Sequence, residues 1–206
     1  MAENIVVLGA GYGGISAAQK LAKLTKKEDD KTITLIDKNP FHILLTEIHK
    51  VAGNKIDEDG VKINLDKLFS STKVNVVSDY IEEMDFENQT LISKKHEYKY
   101  DYLITGTGSE PSDCGVEGVK ENTYTLWSTE DAENIKKHMY EVFQEARITE
   151  DEQYRKELLT FVVCGGGFTG VEMIGELKEW IGELCNKYQI PEEEVELILC
   201  EGLDNI

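Results

Sequence analysis

The most informative residues of this chain are two glycine-rich motifs. Ile5–Gly14 has the sequence IVVLGAGYGG and Phe161–Gly170 has the sequence FVVCGGGFTG, so each places glycines at GxGxxG spacing after an apolar run. At a strand-to-helix turn the first glycine permits the tight turn, the second lets the backbone approach a pyrophosphate, and the third allows close packing of helix on strand. One match alone is weak evidence, but two matches in the same context predict two nucleotide sites.

The elements predicted around both motifs are the same: a strand, a helix and a second strand. Apolar residues at helical spacing follow the first motif through Thr25, and a polar stretch then leads to the next strand. Free N–H groups at each helix N-terminus would donate to bound phosphates. The predicted strands are Ile5–Leu8, Thr32–Ile36, Leu159–Cys164 and Val195–Glu201, and the second helix is Thr169–Lys187.

An acidic residue closes the second predicted strand. Asp37 lies where a carboxylate can accept hydrogen bonds from the ribose of an adenine dinucleotide. A helix cap or an exposed loop acid is the alternative role for this residue. The glycine motif that precedes it favours the ribose contact.

The residues between the two motifs predict further helices and an antiparallel insertion. Helical periodicity covers His42–Ala52, Leu65–Ser70 and 129–147. Strand patterns cover Thr72–Asp85, Thr90–Ser93 and Tyr98–Leu103. The last two are typical of a hairpin around the turn KKHE, so we expect a three-stranded antiparallel excursion in a parallel fold. The acidic stretch 147–157 lacks apolar periodicity and is predicted to be a linker.

Composition indicates a globular chain without nucleic-acid partners. Hydrophobic residues make up 40% of the 206 residues, enough for a substantial core, and the formal net charge is −18. That charge repels phosphate backbones and anionic lipid surfaces, and the basic residues are scattered. No export signal precedes the first strand and no apolar run approaches membrane-spanning length, so we expect a cytoplasmic location.

The cysteines and histidines show no metal-binding or disulfide pattern. The four cysteines lack CxxC spacing, so we expect reduced thiols. Cys164 and Cys200 fall near the ends of neighbouring predicted strands, where burial is the expected state and mutual proximity the alternative. Cys114 has no evident role. The histidines are equally dispersed, so we predict no metal site and single out only His42.

The second strand–helix–strand unit predicts more sheet than the sequence supplies. FVVC and ELILC are apolar on both faces and expect neighbours on each side. Two such strands alone would leave open edges. We therefore expect the 206 residues to be part of a longer polypeptide, with an incomplete second nucleotide domain.

Taken together, the motifs resemble those of the pyridine nucleotide:flavin oxidoreductases, and most of all the N-terminal half of the type II NADH:quinone oxidoreductases. The resemblance covers essentially the whole chain. It rests on GAGYGG, LIDKNPFHILLTEIHKVAGN, YDYLITGTGSEP, GVEGVKEN, and GGGFTGVE with Glu201. It implies an α/β, FAD/NAD(P)-binding Rossmann-like three-layer fold. Residues 1–120 would be the N-terminal part of an FAD-binding domain, 121–157 a connecting segment with a helix, and 158–206 the start of a NAD-binding domain.

The resemblance implies FAD at the first motif and NADH at the second. The implied FAD-binding residues are Gly9, Gly11, Tyr12, Gly13 and Gly14 at the pyrophosphate, Asp37 at the ribose, Lys38 near the adenine, Ile81 through its backbone, and Thr107 and Gly108 near the flavin. The implied NADH-binding residues are Gly165, Gly167, Phe168, Thr169, Gly170 and Glu201.

Two acidic residues of the second motif receive implied roles. A carboxylate at Glu201 would repel a 2′-phosphate, which favours NADH over NADPH. A plain loop acid is the alternative, because Glu201 lies farther from Gly170 than the usual spacing of about 20 residues. Glu172 resembles the family's glutamate beside the nicotinamide and flavin, a candidate catalytic group for proton handling. A first-turn acid that favours the helix dipole is its other reading.

The implied activity is hydride transfer from NADH to the flavin, followed by electron transfer to a quinone or similar acceptor. The resemblance also implies a full-length protein at the inner face of the cell membrane. A homodimer is a further expectation that no residue pattern supports. FHILLTEIHKVAG contains no cysteine, which excludes the dithiol relay of disulfide reductases. Two alternatives stay open: a truncated, non-catalytic nucleotide-binding fragment, and a soluble NADH-dependent reductase of a redox protein.

Overall fold

A computed structural model describes residues 3–113 and 115–203 of the chain, so Cys114 lies outside the described residues. The helices and strands are, in chain order, β1 (Glu3–Leu8), α1 (Tyr12–Leu24), β2 (Lys31–Asp37), β3 (Phe41–Ile43), α2 (Ile48–Ala52), β4 (Lys62–Asn64), α3 (Leu65–Phe69), β5 (Val74–Ser78), β6 (Ile81–Asp85), β7 (Thr90–Ser93), β8 (Glu97–Lys99), β9 (Tyr102–Thr105), α4 (Val119–Asn122), α5 (Thr129–Ile148), α6 (Glu152–Leu158), β10 (Thr160–Cys164), α7 (Phe168–Tyr188) and β11 (Glu196–Cys200). Short 3-10 turns lie at Leu45–Glu47, Glu58–Val61 and Glu192–Glu194.

The chain divides into two compact units. The first unit comprises Met1–Ile43 and Lys62–Glu110, and the second comprises Leu44–Val61 and Pro111–Ile206. The stretch between β3 and β4 therefore packs with the C-terminal residues, which the sequence did not predict. The boundaries 1–120, 121–157 and 158–206 describe nucleotide-binding domains rather than packing units, and they stay a prediction.

A parallel sheet forms the centre of the first unit. Its strand order is β5-β2-β1-β9, and every neighbouring pair is parallel. β1 lies inside this sheet, and its Val7 is fully buried. Because the strands are parallel, the loops that follow β1, β2 and β9 meet at one edge of the sheet.

Alternate residues of β1 face two different layers. Ile5 and Val7 pack in a core that includes Ala18 of α1 and Phe69 of α3. Val6 and Leu8 pack in a second core that includes Leu91 of β7. Strand geometry explains the division, since successive side chains point to opposite faces, and each such burial stabilises the fold by about 1.5–3 kcal/mol. The predicted three-layer α/β fold is confirmed.

The antiparallel insertion is the sheet β6-β7-β8, and it corrects two predicted strand boundaries. The strand predicted over Thr72–Asp85 is divided between β5 of the parallel sheet and β6 of the antiparallel sheet. The division falls at Asp79, whose N–H donates to the Asp37 carbonyl oxygen at 2.9 Å. The Asp79 carboxylate accepts a hydrogen bond from the Tyr98 hydroxyl at 2.6 Å. Burial, and then this bond to Asp79, raise the pKa of Tyr98 to about 12. The strand predicted over Tyr98–Leu103 is likewise divided between β8 and β9.

Helices α2, α5 and α7 supply the buried apolar residues of the second unit. Val51 of α2, Phe143 of α5, and Trp180 and Ile181 of α7 are almost completely buried. The helix predicted over His42–Ala52 is wrong in its first half, where the chain forms β3 and a 3-10 turn before α2 begins. None of the described helices is long and apolar enough to cross a membrane.

The predicted linker at 147–157 is also wrong, because most of it forms α6. Asp151 is the N-cap of that helix, and its Oδ1 accepts hydrogen bonds from the N–H groups of Gln153 and Tyr154, each at 3.0 Å. An aspartate at this position stabilises a helix by satisfying N–H groups that have no partner within it. The local cap therefore outweighs the lack of apolar periodicity.

The second unit contains its own parallel strand pair. β10 pairs with β11 in a register that runs from Thr160 opposite Glu196 to Cys164 opposite Cys200. Val162, in the middle of β10, is 52% exposed. An apolar strand exposed to this extent presents surface on which further structure could pack.

Candidate dinucleotide sites

The first glycine loop connects β1 to α1 in the first unit. Gly9 has a φ of 100°, in the left-handed region that favours glycine. A Cβ at Gly9 would lie 2.2 Å from the Gly106 carbonyl oxygen, which follows β9. The Gly9 N–H donates to the Ile36 carbonyl and the Gly106 N–H to the Leu8 carbonyl, both at 2.7 Å. The loop is thus closed against the ends of β1, β2 and β9.

The remaining glycines of this loop divide into a packed position and open positions. A Cβ at Gly14 would lie 1.8 Å from the Gly9 carbonyl oxygen, so only glycine lets α1 approach β1 this closely. A Cβ at Gly11 or Gly13 would meet no heavy atom within 4 Å. Gly11 is the N-cap of α1 and offers no side-chain cap. The space beside Gly11 and Gly13 at the N-terminus of α1 is therefore open, and a helix N-terminus of this kind can receive a phosphate.

Asp37 is tied to the same loop. It ends β2, and its Oδ2 accepts a hydrogen bond from the Ala10 N–H at 2.6 Å while its Oδ1 accepts from the Asn39 N–H at 2.8 Å. The helix-cap alternative is wrong, because the donors belong to loops and no helix begins there. The next residue, Lys38, is exposed.

A buried histidine lies on the other side of this loop. His42 of β3 is 5% exposed, and its Nδ1 lies 2.8 Å from the Ala10 carbonyl oxygen. Its ring meets the Tyr12 ring edge-on, with 4.8 Å between centroids. Tyr12 is the first residue of α1 and is 44% exposed. Asp37 therefore binds the backbone N–H of Ala10, and His42 binds its backbone carbonyl.

Three other predicted FAD-binding residues also lie in the first unit. Thr107 and Gly108 follow β9 and are exposed. The Thr107 nitrogen would be 3.1 Å from a Cβ at Gly9, so this turn borders the glycine loop. Ile81 begins β6 and is partly buried against the second core.

The second glycine loop, between β10 and α7, repeats the first. Gly165 has a φ of 106°, and its N–H donates to the Cys200 carbonyl at 2.7 Å. A Cβ at Gly170 would lie 1.9 Å from the Gly165 carbonyl oxygen, whereas a Cβ at Gly167 would meet nothing within 4 Å. Phe168 and Thr169 are the first residues of α7, and Phe168 is 93% exposed. Two separate units therefore present the same strand–loop–helix geometry.

Glu201 stands in the second unit where Asp37 stands in the first. Its Oε2 accepts a hydrogen bond from the Gly166 N–H at 2.6 Å, and its Oε1 accepts from the Leu203 N–H at 2.8 Å. These backbone hydrogen bonds, the Gly166 one above all, hold the pKa of Glu201 below its usual value. The carboxylate is thus a charged partner of the glycine loop rather than an unattached loop acid.

Residues 3–200 match the family described as pyridine nucleotide-disulphide oxidoreductase. The chain belongs to this family. The type II NADH:quinone oxidoreductases of Staphylococcus haemolyticus and Staphylococcus aureus are each 29% identical to it over 200 residues, which cover 97% of this chain and 49% of theirs. The chain spans about half the length of the curated relatives it matches.

Two solved structures of other proteins show a similar fold. NDH2 from Plasmodium falciparum in complex with NADH has a TM-score of 0.84 at 21% identity, covering 100% of this chain and 43% of that one. The sulfide:quinone oxidoreductase from Aquifex aeolicus has a TM-score of 0.61 at 21% identity, covering 96% of this chain and 51% of that one. The chain therefore shares its Rossmann-like fold with these structures.

Glu172 lies in a chain of polar side chains within the second unit of this family member. It is the fifth residue of α7, past the first turn, so the helix-dipole reading is wrong. Its Oε2 lies 3.5 Å from Nδ1 of His49, which is 7% exposed. On the other side of that ring, Nε2 lies 4.0 Å from Oε1 of Glu176, and Glu176 pairs with Lys55 at 3.4 Å. The buried imidazole thus connects Glu172 to a second carboxylate.

The cysteines depart from the expectation of burial. Cys164 and Cys200 are exposed free thiols and are register partners at the ends of β10 and β11, so their proximity is confirmed. They are exposed because no other described strand covers this pair. Cys185 is buried, and that burial raises the pKa of its thiol. Among residues 3–113 and 115–203, no group of three or more His, Cys, Asp or Glu side chains could hold a metal ion.

Sequence reasoning missed Gly106, His49 and the contact made by His42. Gly106 acts through its carbonyl, so no side-chain pattern marks it. His42 and His49 lie in FHILLTEIHKVAGN, a stretch that already carried the family resemblance. That resemblance is the one signal that could have indicated them, because nothing in their spacing points to a glycine loop or to Glu172.

Proposed function

We propose that this chain is the nucleotide-binding part of an FAD-dependent NADH dehydrogenase, with FAD at the first glycine loop and NADH at the second. The repetition of one loop geometry in two units carries the proposal: each has a left-handed glycine turn, an open helix N-terminus and a carboxylate bound to the loop. Family membership supports the chemistry. The relatives named type II NADH:quinone oxidoreductase support a quinone or similar acceptor.

The first loop fits the pyrophosphate of FAD. Open space at Gly11 and Gly13 lets the backbone N–H groups of α1 reach an anion, while the Asp37 carboxylate lies at the loop as an acceptor for ribose hydroxyls. The residues that would hold FAD are Gly9, Gly11, Tyr12, Gly13, Gly14, Asp37, Lys38, Ile81, Thr107 and Gly108. We assign residues 1–120 to this domain.

The second loop fits the pyrophosphate of NADH for the same physical reasons. The residues that would hold NADH are Gly165, Gly167, Phe168, Thr169, Gly170 and Glu201. The ionised Glu201 carboxylate accepts from hydroxyl groups and repels a 2′-phosphate. We assign residues 158–206 to this domain and 121–157 to the connecting segment.

The protein's contribution to the reaction is mainly binding and orientation. Bound FAD supplies the hydride-accepting and electron-carrying chemistry. The two loops hold the nucleotides by their phosphates, and no side chain is needed as a nucleophile. We assign Glu172 the handling of a proton at its carboxylate, where His49 Nδ1, 3.5 Å away, can share that proton or balance its charge.

The remaining proposals concern the location of the protein and its oligomeric state. A quinone dissolved in a bilayer requires contact with a membrane surface. The resemblance to the type II enzymes places that contact at the inner face of the cell membrane, and we extend the proposal to this location. We also propose a homodimer, which the resemblance does not address.

A nucleotide-binding fragment without catalysis is the second candidate. The observation that favours it is the exposure of Val162 on a strand pair whose open faces resemble those of an unfinished sheet. In that case FAD binds to the first unit, whose core is closed, while the second unit does not deliver hydride.

An anaerobic visible spectrum of the 206-residue chain tests the two candidates. The chain is reconstituted with FAD, separated from free flavin, and recorded before and after NADH is added. We expect bound flavin whose absorbance bleaches with NADH. Bound flavin that stays oxidised supports the fragment, and a colourless protein with a folded circular dichroism spectrum contradicts FAD at the first loop.

Nucleotide choice at the second loop gives a further prediction. We expect tighter binding of NADH than of NADPH, and we expect Glu201→Gln to narrow the ratio of the two affinities by roughly fivefold, because one charge near the 2′-phosphate contributes on the order of 1 kcal/mol. Fluorescence titration of both nucleotides measures the ratio. Glu196→Gln removes an exposed charge from β11, the strand that precedes Glu201, and should leave the ratio unchanged. An unaltered ratio in Glu201→Gln would remove Glu201 from the ribose site.

A further inference from the structure

His42 is a buried titratable residue for which the proposed chemistry has no use. It lies in β3, and only 5% of it is exposed. Its ring Nδ1 lies 2.8 Å from the carbonyl oxygen of Ala10, 32 positions earlier in the chain. Ala10 stands between Gly9 and Gly11, in the middle of the first glycine loop.

The chemistry of the contact determines the position of one proton. A carbonyl oxygen only accepts hydrogen bonds, so Nδ1 of His42 must carry hydrogen and donate. A buried carbonyl that loses its donor costs about 1–3 kcal/mol. His42 therefore satisfies a polar group that would otherwise lie unpaired next to the phosphate-binding turn.

Side chains bind the backbone of Ala10 at both its N–H and its carbonyl. Its N–H donates to Asp37 Oδ2 at 2.6 Å, and its carbonyl accepts from His42. The edge-on contact with Tyr12, 4.8 Å between ring centroids, continues the support into the first turn of α1. Gly11, which leads into the first N–H groups of α1, lies between these supported residues.

The second loop has only half of this arrangement. Gly166 takes the place of Ala10, and its N–H donates to Glu201 Oε2 at 2.6 Å. Across the described ranges, no side chain donates to the Gly166 carbonyl. In the first loop, side chains bind both the N–H and the carbonyl of Ala10. In the second loop, a side chain binds the N–H of Gly166 alone.

We propose that His42 is a positioning residue that preorganises the first glycine loop, so that dinucleotide affinity there depends on its Nδ1–H. The proposal rests on FAD binding to the first loop. A loop that samples other conformations reduces apparent affinity in proportion to the fraction that is binding-competent. His42 keeps that fraction high before the ligand arrives.

FAD affinity is measured in the full chain for two substitutions of His42 and one control substitution. His42→Leu removes the donor at similar size and should weaken FAD binding by roughly tenfold. His42→Asn places an amide N–H near the position of Nδ1 and should recover most of that loss. His96→Leu changes an exposed histidine of the same unit and should bind FAD like the unmodified chain.

Flavin fluorescence titration gives the FAD dissociation constants, and urea unfolding of each variant gives its stability. A merely structural role predicts lower stability in His42→Leu with unchanged affinity, and that outcome overturns the proposal. Equal weakening in His42→Leu and His42→Asn overturns it as well. If the unmodified chain binds no FAD, the proposed function has failed.

Amide exchange in the chain without ligand tests the role of His42 independently of FAD. Exchange at Gly11 should be faster in His42→Leu than in His42→Asn, and equal exchange rates contradict preorganisation.

The imidazole itself gives an independent signature. In nitrogen-15 spectra of the chain without ligand, we expect His42 to carry hydrogen on Nδ1. A neutral ring with hydrogen only on Nε2 contradicts the hydrogen bond to Ala10, whatever the affinities show.

Discussion

Replacing Gly11 with valine is expected to leave the chain folded and to weaken FAD binding on the order of a hundredfold or more. A Cβ at Gly11 meets no protein atom within 4 Å, and the φ of −70° and ψ of −176° there suit valine. The new side chain instead fills the space through which a pyrophosphate reaches the N–H groups of α1. Overpacking of this kind costs about 3 kcal/mol, which corresponds to roughly a hundredfold.

Flavin retained after gel filtration and a fluorescence titration measure the loss, and urea unfolding verifies the fold. Gly167→Val is the matched control, because Gly167 is the equally open N-cap of α7 in the second unit. That variant should keep FAD and lose NADH. Unchanged flavin content in Gly11→Val would refute the assignment of the first loop.

Gly14→Ala is expected to destabilise the first unit by at least about 3 kcal/mol. The added Cβ would lie 1.8 Å from the Gly9 carbonyl oxygen. That oxygen belongs to the backbone and cannot rotate away, since Gly9 is held by its hydrogen bond to Ile36 and by its approach to Gly106. Helix α1 must therefore move off β1, which opens the core beneath it.

Gly13→Ala, one residue earlier in the same helix, is the control, because we expect it to leave the stability of the first unit unchanged or to raise it. Its Cβ would enter open space, and alanine favours a helix over glycine by about 0.8–1.0 kcal/mol. Urea unfolding midpoints of both variants decide the matter. We expect a clear drop for Gly14→Ala and an unchanged or raised midpoint for Gly13→Ala, and similar midpoints would contradict the close approach of α1 to β1.

The glycine spacing and the apolar runs beside it were sufficient to predict both strand–loop–helix units. They act over a few residues: a left-handed turn needs glycine at Gly9 and Gly165, and apolar strands lead into apolar helix faces. The acidic residues Asp37 and Glu201 could be placed for the same reason, because Asp37 is the last residue of β2 and Glu201 directly follows β11.

The local sequence pattern did not predict the strand boundaries where one continuous stretch contributes strands to two sheets. Thr72–Asp85 alternates like a single strand, yet its halves join different sheets, because Asp79 between them bonds through its N–H to Asp37 of β2 and through its carboxylate to Tyr98 of β8. The stretch 147–157 looks like a linker until Asp151 caps a helix. Such choices depend on partners far along the sequence or on a single cap, and periodicity reports neither.

The glycine motifs were enough to predict two dinucleotide-type loops in this chain, since steric limits on glycine and the alternation of apolar residues act locally. The surroundings of those loops depend on the tertiary structure. It brought Gly106 against Gly9, His42 against Ala10, and His49 against Glu172. These contacts join residues that are 97, 32 and 123 positions apart, and they arise because parallel strands end at one edge and helices pack through buried faces.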